Sequence, residues 1–195
     1  TADKAIKAAR DALEMGFESA DILAEKRKLV GRITTGSAEL DTLIGGGIET
    51  QSITEVYGKM ASGKSQWCFQ ACVTVQLPLE QGGLEGACLY IDSENSFRPE
   101  RVTQVAKRFG LDVEATLKNI FVARAYNADH QMLLAEKAAE MIKEKNVKLV
   151  IVDSLMAQFR AEYVGRGTLA TRQQKLNTHL RTLQKLAEMY NITVL

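Results

Sequence analysis

The chain has 195 residues, 46% hydrophobic and 25% charged, with a formal net charge of +1. That length holds one α/β domain with a short appendage, and the near-neutral balance excludes a surface that is cationic throughout, so contact with nucleic acid requires a local basic patch. No apolar run approaches the roughly 20 residues of a membrane span and no signal-peptide core stands at the start, so no membrane partner and a cytoplasmic location are expected.

In chain order, TADKAIKAARDALEMGFESADILAEKRK is rich in Ala, Lys and Glu, which favours helix, and Gly16 interrupts it after Met15. Residues 1–28 are read as a helical linker and residues 29–195 as the main domain. In ITTGSAELDTLIGGGIE, Ser37 can cap a short helix that the Gly45–Gly47 turn ends. QSITEVY reads as a strand, followed by a glycine-containing loop and a helix from Lys64 to Leu77 that stops before Pro78. ACLYID is an apolar run of strand length ending in an acid. Helices over Pro99–Phe109 and Asp129–Lys145 then alternate with strands at NIFVA and KLVIVD. A long final helix carries Leu176, Leu180, Leu183 and Leu186 at helical spacing, and NITVL reads as one more strand. Strands alternating with crossover helices give an α/β fold with a largely parallel sheet, covered by helices on both faces. NITVL, with no helix after it, is read as an edge strand of a chain whose remainder lies beyond this sequence. The three cysteines form no C-x-x-C pair, which points to a reducing compartment; Cys68 and Cys72, four apart, are read as core packing rather than a metal site.

The stretch YGKMASGKSQ, Tyr57 to Gln66, fits the phosphate-loop pattern G-x-x-x-x-G-K-[ST] between a strand and a helix. Gly58 and Gly63 let the backbone wrap phosphate oxygens, with the amides of Lys59, Met60, Ala61 and Ser62 as donors. Lys64 reaches the β- and γ-phosphates and the Ser65 hydroxyl is a Mg²⁺ ligand, so ATP and Mg²⁺ are the expected cofactors. KLVIVDS ends in Asp153, a carboxylate placed to hold a water of the Mg²⁺ shell. Glu94, just past ACLYID, either orients and deprotonates a water for attack on the γ-phosphate or caps the following helix. In FRAEYVGRGTLATRQQKL, Arg160, Arg166 and Arg172 surround a Gly-Arg-Gly turn with Tyr163 nearby. Such a loop suits a phosphate backbone and unstacked bases, or is a solvated entry to the next helix.

These blocks together resemble the RecA-type recombinases, in particular their archaeal branch. The likeness runs from GFESADILAEKRK through ITTGSAELDTLIGGGIETQSITEVYG, the phosphate loop, YIDSENSFRPER, FVARAYNADHQMLL and VDSLMAQFRAEYVGRGTLATRQQKL to NITVL. It implies a RecA-like ATPase core that forms filaments or rings, binds single-stranded and duplex DNA, promotes strand exchange in repair and associates with the nucleoid. Glu94 would activate water with Lys64 beside it, Arg101 would pack on adenine, and Arg166 and Arg172 would contact single-stranded DNA. Phe17 and Ala20 in GFESA match an F-x-x-A clip that docks on a neighbouring protomer, or on which mediator proteins converge. The receiving pocket corresponds to Leu89, Ile91, Ala123, Leu134, Ala138 and Met141, the last three at i, i+4, i+7. A lone Phe in a charged segment has few partners of its own nearby, so the alternatives are an external pocket or folding back on its own domain. The sequence departs from that family at Lys59, usually acidic, at Met60-Ala61, often Phe-Gly, at Ser65, more often Thr, and at Leu155–Gln158, which usually contain Thr and His. The family's N-terminal helix-hairpin-helix domain and second DNA-binding loop are not in this sequence. The other readings are a nucleotide-binding interaction module without strand exchange, and a hexameric helicase, which the clip and Gly-Arg-Gly loop fit less well.

Overall fold

The alternation of apolar runs and amphipathic segments resolves, in a computed structural model that describes residues 17–195, into a five-stranded sheet between two helical layers. The helix expected over residues 1–15 lies outside the described residues. The chain divides into two units at Val30, the second being Gly31–Leu195. Within the first, helix α1 (Ala20–Arg27) places Asp21 in its first turn and Lys26 and Arg27 in its last, the order that complements the helix dipole. It buries none of its side chains.

The second unit opens with a small antiparallel pair, β1 (Arg32–Ile33) and β2 (Ile48–Glu49), tied by an Arg32–Glu49 ion pair of 2.7 Å. Between them lies α2 (Ala38–Leu43), whose Leu40 amide donates to Ser37 Oγ as the sequence suggests. Gly45, Gly46 and Gly47 all take positive φ. At Gly47 a side chain is also barred by contact, since a Cβ would stand 2.5 Å from the Ile33 carbonyl.

Strands β3 (Ser52–Ile53), β4 (Ala87–Asp92), β5 (Ile120–Arg124), β6 (Val147–Asp153) and β7 (Thr193–Val194) form an all-parallel sheet in the order β3-β7-β6-β4-β5. Side chains alternate across it. Tyr90 and Ile151 join Phe69 and Cys72 of α3 (Lys64–Thr74) and Val102 and Ala106 of α4 (Pro99–Arg108) on one face. Leu89, Ile91 and Val150 point the other way, into Ala135 and Ala138 of α6 (Ala128–Glu144) and Leu183 and Leu186 of α8 (Leu169–Tyr190). Burial on both sides is why ACLYID and KLVIVD read as unbroken apolar runs. A third cluster gathers Phe159 of α7 (Ala157–Glu162), Leu176 of α8 and Ala128 at the start of α6. The short α5 (Val113–Lys118) is capped by Asp112, which accepts from the Ala115 amide at 2.7 Å.

Three expectations are corrected. NITVL is not an edge: β7 is inserted between β3 and β6 and hydrogen-bonds to both, Ser52 opposite Thr193 and Leu149 opposite Thr193 on its other side. QSITEVY contributes only Ser52–Ile53 as strand, because β7 pairs with no more of it than that. The helix after the phosphate loop ends at Thr74, three residues before Leu77.

Candidate functional site

The C-terminal edge of the parallel sheet gathers the chemistry-bearing residues, as open α/β sheets generally do. The phosphate loop leaves β3 and ends in α3, which packs over β6. Ala61 (φ 59°) and Gly63 (φ 92°) turn the backbone through left-handed conformations, a shape that points successive amides into one concavity. The Lys64 ammonium lies across the loop, donating to the carbonyls of Gly58 at 3.0 Å and Lys59 at 2.9 Å. In α3 the first amide to close within the helix is that of Trp67, onto Gly63 O at 2.9 Å, so the amides of Lys64, Ser65 and Gln66 head the helix without intrahelical partners. A donor-lined loop, an ammonium and a hydroxyl at a helix N-terminus fit a magnesium-bound triphosphate. Lys59, Met60 and Ala61 are all exposed at the loop's tip. Lys59 supports Lys64 through its backbone carbonyl, a contact its unusual side chain does not alter.

Asp153 ends β6 directly opposite Asp92, which ends β4. The Tyr90 hydroxyl donates to Asp153 Oδ2 at 2.7 Å; burial, and then the Asp153 charge and this hydrogen bond, push that phenol well above its usual range. Burial and then Asp153 likewise raise the thiol of Cys68, one turn into α3, which sets the helix beside the carboxylate. Cys72 is buried in the same core with its Sγ 3.5 Å from Cys88 Sγ. Asp92 is buried and accepts the amides of Glu94 (3.1 Å), Ser96 (3.0 Å) and Phe97 (2.9 Å). It thereby shapes the turn that carries Glu94. The Glu94 carboxylate is exposed and accepts from Ser154 Oγ at 2.7 Å, beside Asp153. It does not cap the next helix: Arg98 is the N-cap of α4 and makes no side-chain capping bond. Arg101 links α4 to α3, its Nε donating to Gln66 Oε1 at 3.2 Å.

Downstream of Asp153, α7 leads to a short 3₁₀ turn, Arg166–Thr168, before α8 begins. Arg160 and Arg166 are exposed, and Gly165 sits at φ 86°. Arg172 is half-buried, and its Nε is a buried donor without a partner among the described residues. Tyr163 is half-buried against the Phe159 cluster, with the Lys175 ammonium 5.3 Å above its ring. That leaves less of its ring open for stacking than the sequence suggests. Both ends of this loop are anchored to the first turn of α6. Glu162 accepts the Ala128 amide, and Lys175 pairs with Asp129 at 2.6 Å. Deeper in, Gln131 donates to Leu155 O at 3.0 Å and stands 3.3 Å from the ring of buried His179.

Leu89, Ile91, Leu134, Ala138 and Met141 fall in one apolar cluster, where α6 crosses β6 and β4; Ala123 is in register with Ile91. Phe17 is fully exposed and Ala20 is exposed. Sequence reasoning missed Tyr90, Asp92, Ser154 and the glutamines 131 and 158. Only Asp92 carried a signal, as the acid ending an apolar strand. No helix among the described residues is long and apolar enough to cross a membrane. A protein-family model described as Rad51 matches residues 26–195, which takes in the entire sheet unit and every element of this edge.

Proposed function

The chain belongs to the Rad51 family of RecA-type recombinases, and from that premise we propose that it is the ATPase core of a DNA recombinase, of the archaeal RadA kind. On this reading it assembles on single-stranded DNA with ATP and Mg²⁺ bound, pairs with homologous duplex and exchanges strands in repair at the nucleoid. The observation that carries it is the convergence of a phosphate loop, the Asp153–Ser154–Glu94 group and an exposed arginine loop at one edge of one sheet. Lys64 and the loop amides hold the phosphates, Ser65 ligates Mg²⁺, and Asp153 holds a water of its shell. Glu94, fixed by Ser154, takes a proton from the attacking water. Arg101 flanks the adenine, while Arg160, Arg166 and Arg172 meet the DNA backbone, with Tyr163 beside them. Phe17 and Ala20 dock on the pocket of a second copy at Leu89, Ile91, Ala123, Leu134, Ala138 and Met141, building filaments or rings, and mediators bearing the same motif compete there. Lys64→Ala is expected to abolish ATP-dependent binding to single-stranded DNA, read by fluorescence anisotropy. Unchanged binding at low salt would remove the assignment.

The exposed Lys59 favours a second reading, since it adds a cation near the γ-phosphate position. There the chain binds ATP or ADP and pairs through the clip without exchanging strands. ATPase and strand-exchange assays with and without single-stranded DNA separate the two.

A further inference from the structure

Gln158 stands on α7, between Asp153 and the arginine loop. Its Nε2 donates twice, to Ser93 O at 2.7 Å and to Ala125 O at 3.2 Å. Ser93 and Ala125 are the residues immediately past the ends of β4 and β5. Their own amides continue the strand ladder, Ser93 N to Asp153 O and Ala125 N to Asp92 O, each at 2.9 Å. One side-chain amide thus ties the rim of three strands to a helix of only six residues.

Ser93 is also the residue before Glu94. Its hydroxyl exchanges hydrogen bonds with the Ser154 backbone, accepting from Ser154 N and donating to Ser154 O, both at 2.8 Å. Ser154 in turn holds the Glu94 carboxylate. At its far end α7 closes with Glu162 on the Ala128 amide and passes straight into Tyr163 and the exposed loop. A short helix gripped at both ends moves as one piece. Both amide protons of Gln158 are engaged, so a rotation of α7 that follows the loop must strain or break a bond at the residue next to Glu94.

We propose that Gln158 is a positioning residue that couples the arginine loop to the Glu94 turn, so that single-stranded DNA on one and nucleotide on the other strengthen each other's binding. The inference rests on the recombinase reading above and assigns the link between its two sites. Coupling between two ligands is reciprocal and amounts to roughly 5–150-fold in affinity. A hydrogen-bonded path attached to a rigid element is one physical route for such coupling.

The test measures the affinity of the whole chain for fluorescent oligo-dT, with and without Mg²⁺ and a slowly hydrolysed ATP analogue. In the wild type the analogue should tighten DNA binding by roughly five-fold or more. Gln158→Met, which fills the space but donates nothing, should bind each ligand alone as the wild type does, melt within a few degrees of it and lose the mutual strengthening. Gln158→His, which keeps an N–H donor, should retain it. If the Met variant does not fold, Gln158→Leu gives the same comparison with a smaller neutral side chain and no donor. Full coupling in the donor-less variant overturns the proposal, as does equal loss in Gln158→His, or a wild type that binds both ligands independently. A wild type that binds neither takes the proposal down together with the recombinase reading.

Discussion

Glu94 is exposed, yet it is held on two sides: Ser154 Oγ grips its carboxylate, and the buried Asp92 fixes its backbone amide. A carboxylate held in this way is open to water while its reach is fixed. Glu94→Gln keeps the shape and the Ser154 contact but removes the basicity. It should bind nucleotide as the wild type does and lose turnover by roughly 10²-fold or more, measured as phosphate release beside analogue affinity; a normal rate would end its role as base. At this scale the residues with one chemical use were legible. Lys64, Ser65 and Asp153 were legible in position, because the phosphate-loop pattern puts the first two at a helix start and an apolar run ending in an acid puts the third at a strand end. Asp92 showed only as an acid ending an apolar strand, without its role in the turn, and Ser154 was not legible, since a Ser beside a strand end is equally at home in water. Gln158 is silent for the same reason, because only the fold brings two carbonyls to its amide.

Helix α8 shows what an element adds. Leu176, Leu183 and Leu186 face the core as their spacing predicts, and His179 shares that buried stripe. Burial pushes the His179 ring down to about 4, and its Nδ1 has no partner among the described residues. The unfolded chain, with an ordinary histidine, takes up the proton first as pH falls from about 6.5 toward 4, so stability contributed above that window is lost within it. The loss between pH 7 and pH 5 should be about 2 kcal/mol from this one group. His179→Asn, which cannot titrate, should show a smaller fall in melting temperature over that range; parallel curves would show that another group sets the acid limb. The long, strongly patterned elements were readable, while β1, β2, α5 and α7 were not. Two-residue strands give no alternation to detect, and a helix of six residues gains its stability from tertiary contact, here through buried Phe159, rather than from its own propensity.

For the whole molecule, the proposed self-association rests on the exposed Phe17 and the apolar cluster under α6. Phe17→Glu puts a charge where the clip requires an apolar anchor, and should lower the oligomeric mass seen by light scattering at equal concentration; an unchanged mass would leave the clip without support. The sheet class was legible from alternation, but the strand order was not, because nothing local in NITVL says which neighbours it takes. That order has a further consequence. Within the sheet, Ser52, at the foot of the phosphate loop, reaches the strand that ends in Asp153 only through Thr193 and Val194. As the chain emerges from a ribosome, the phosphate loop is made early and the carboxylate strands follow, yet among the described residues β3 has no partner in the sheet until β7 pairs between it and β6. α3 can settle on β4 and β6 before that, but the sheet beneath the phosphate loop becomes continuous with the carboxylate strands only once β7 has been made.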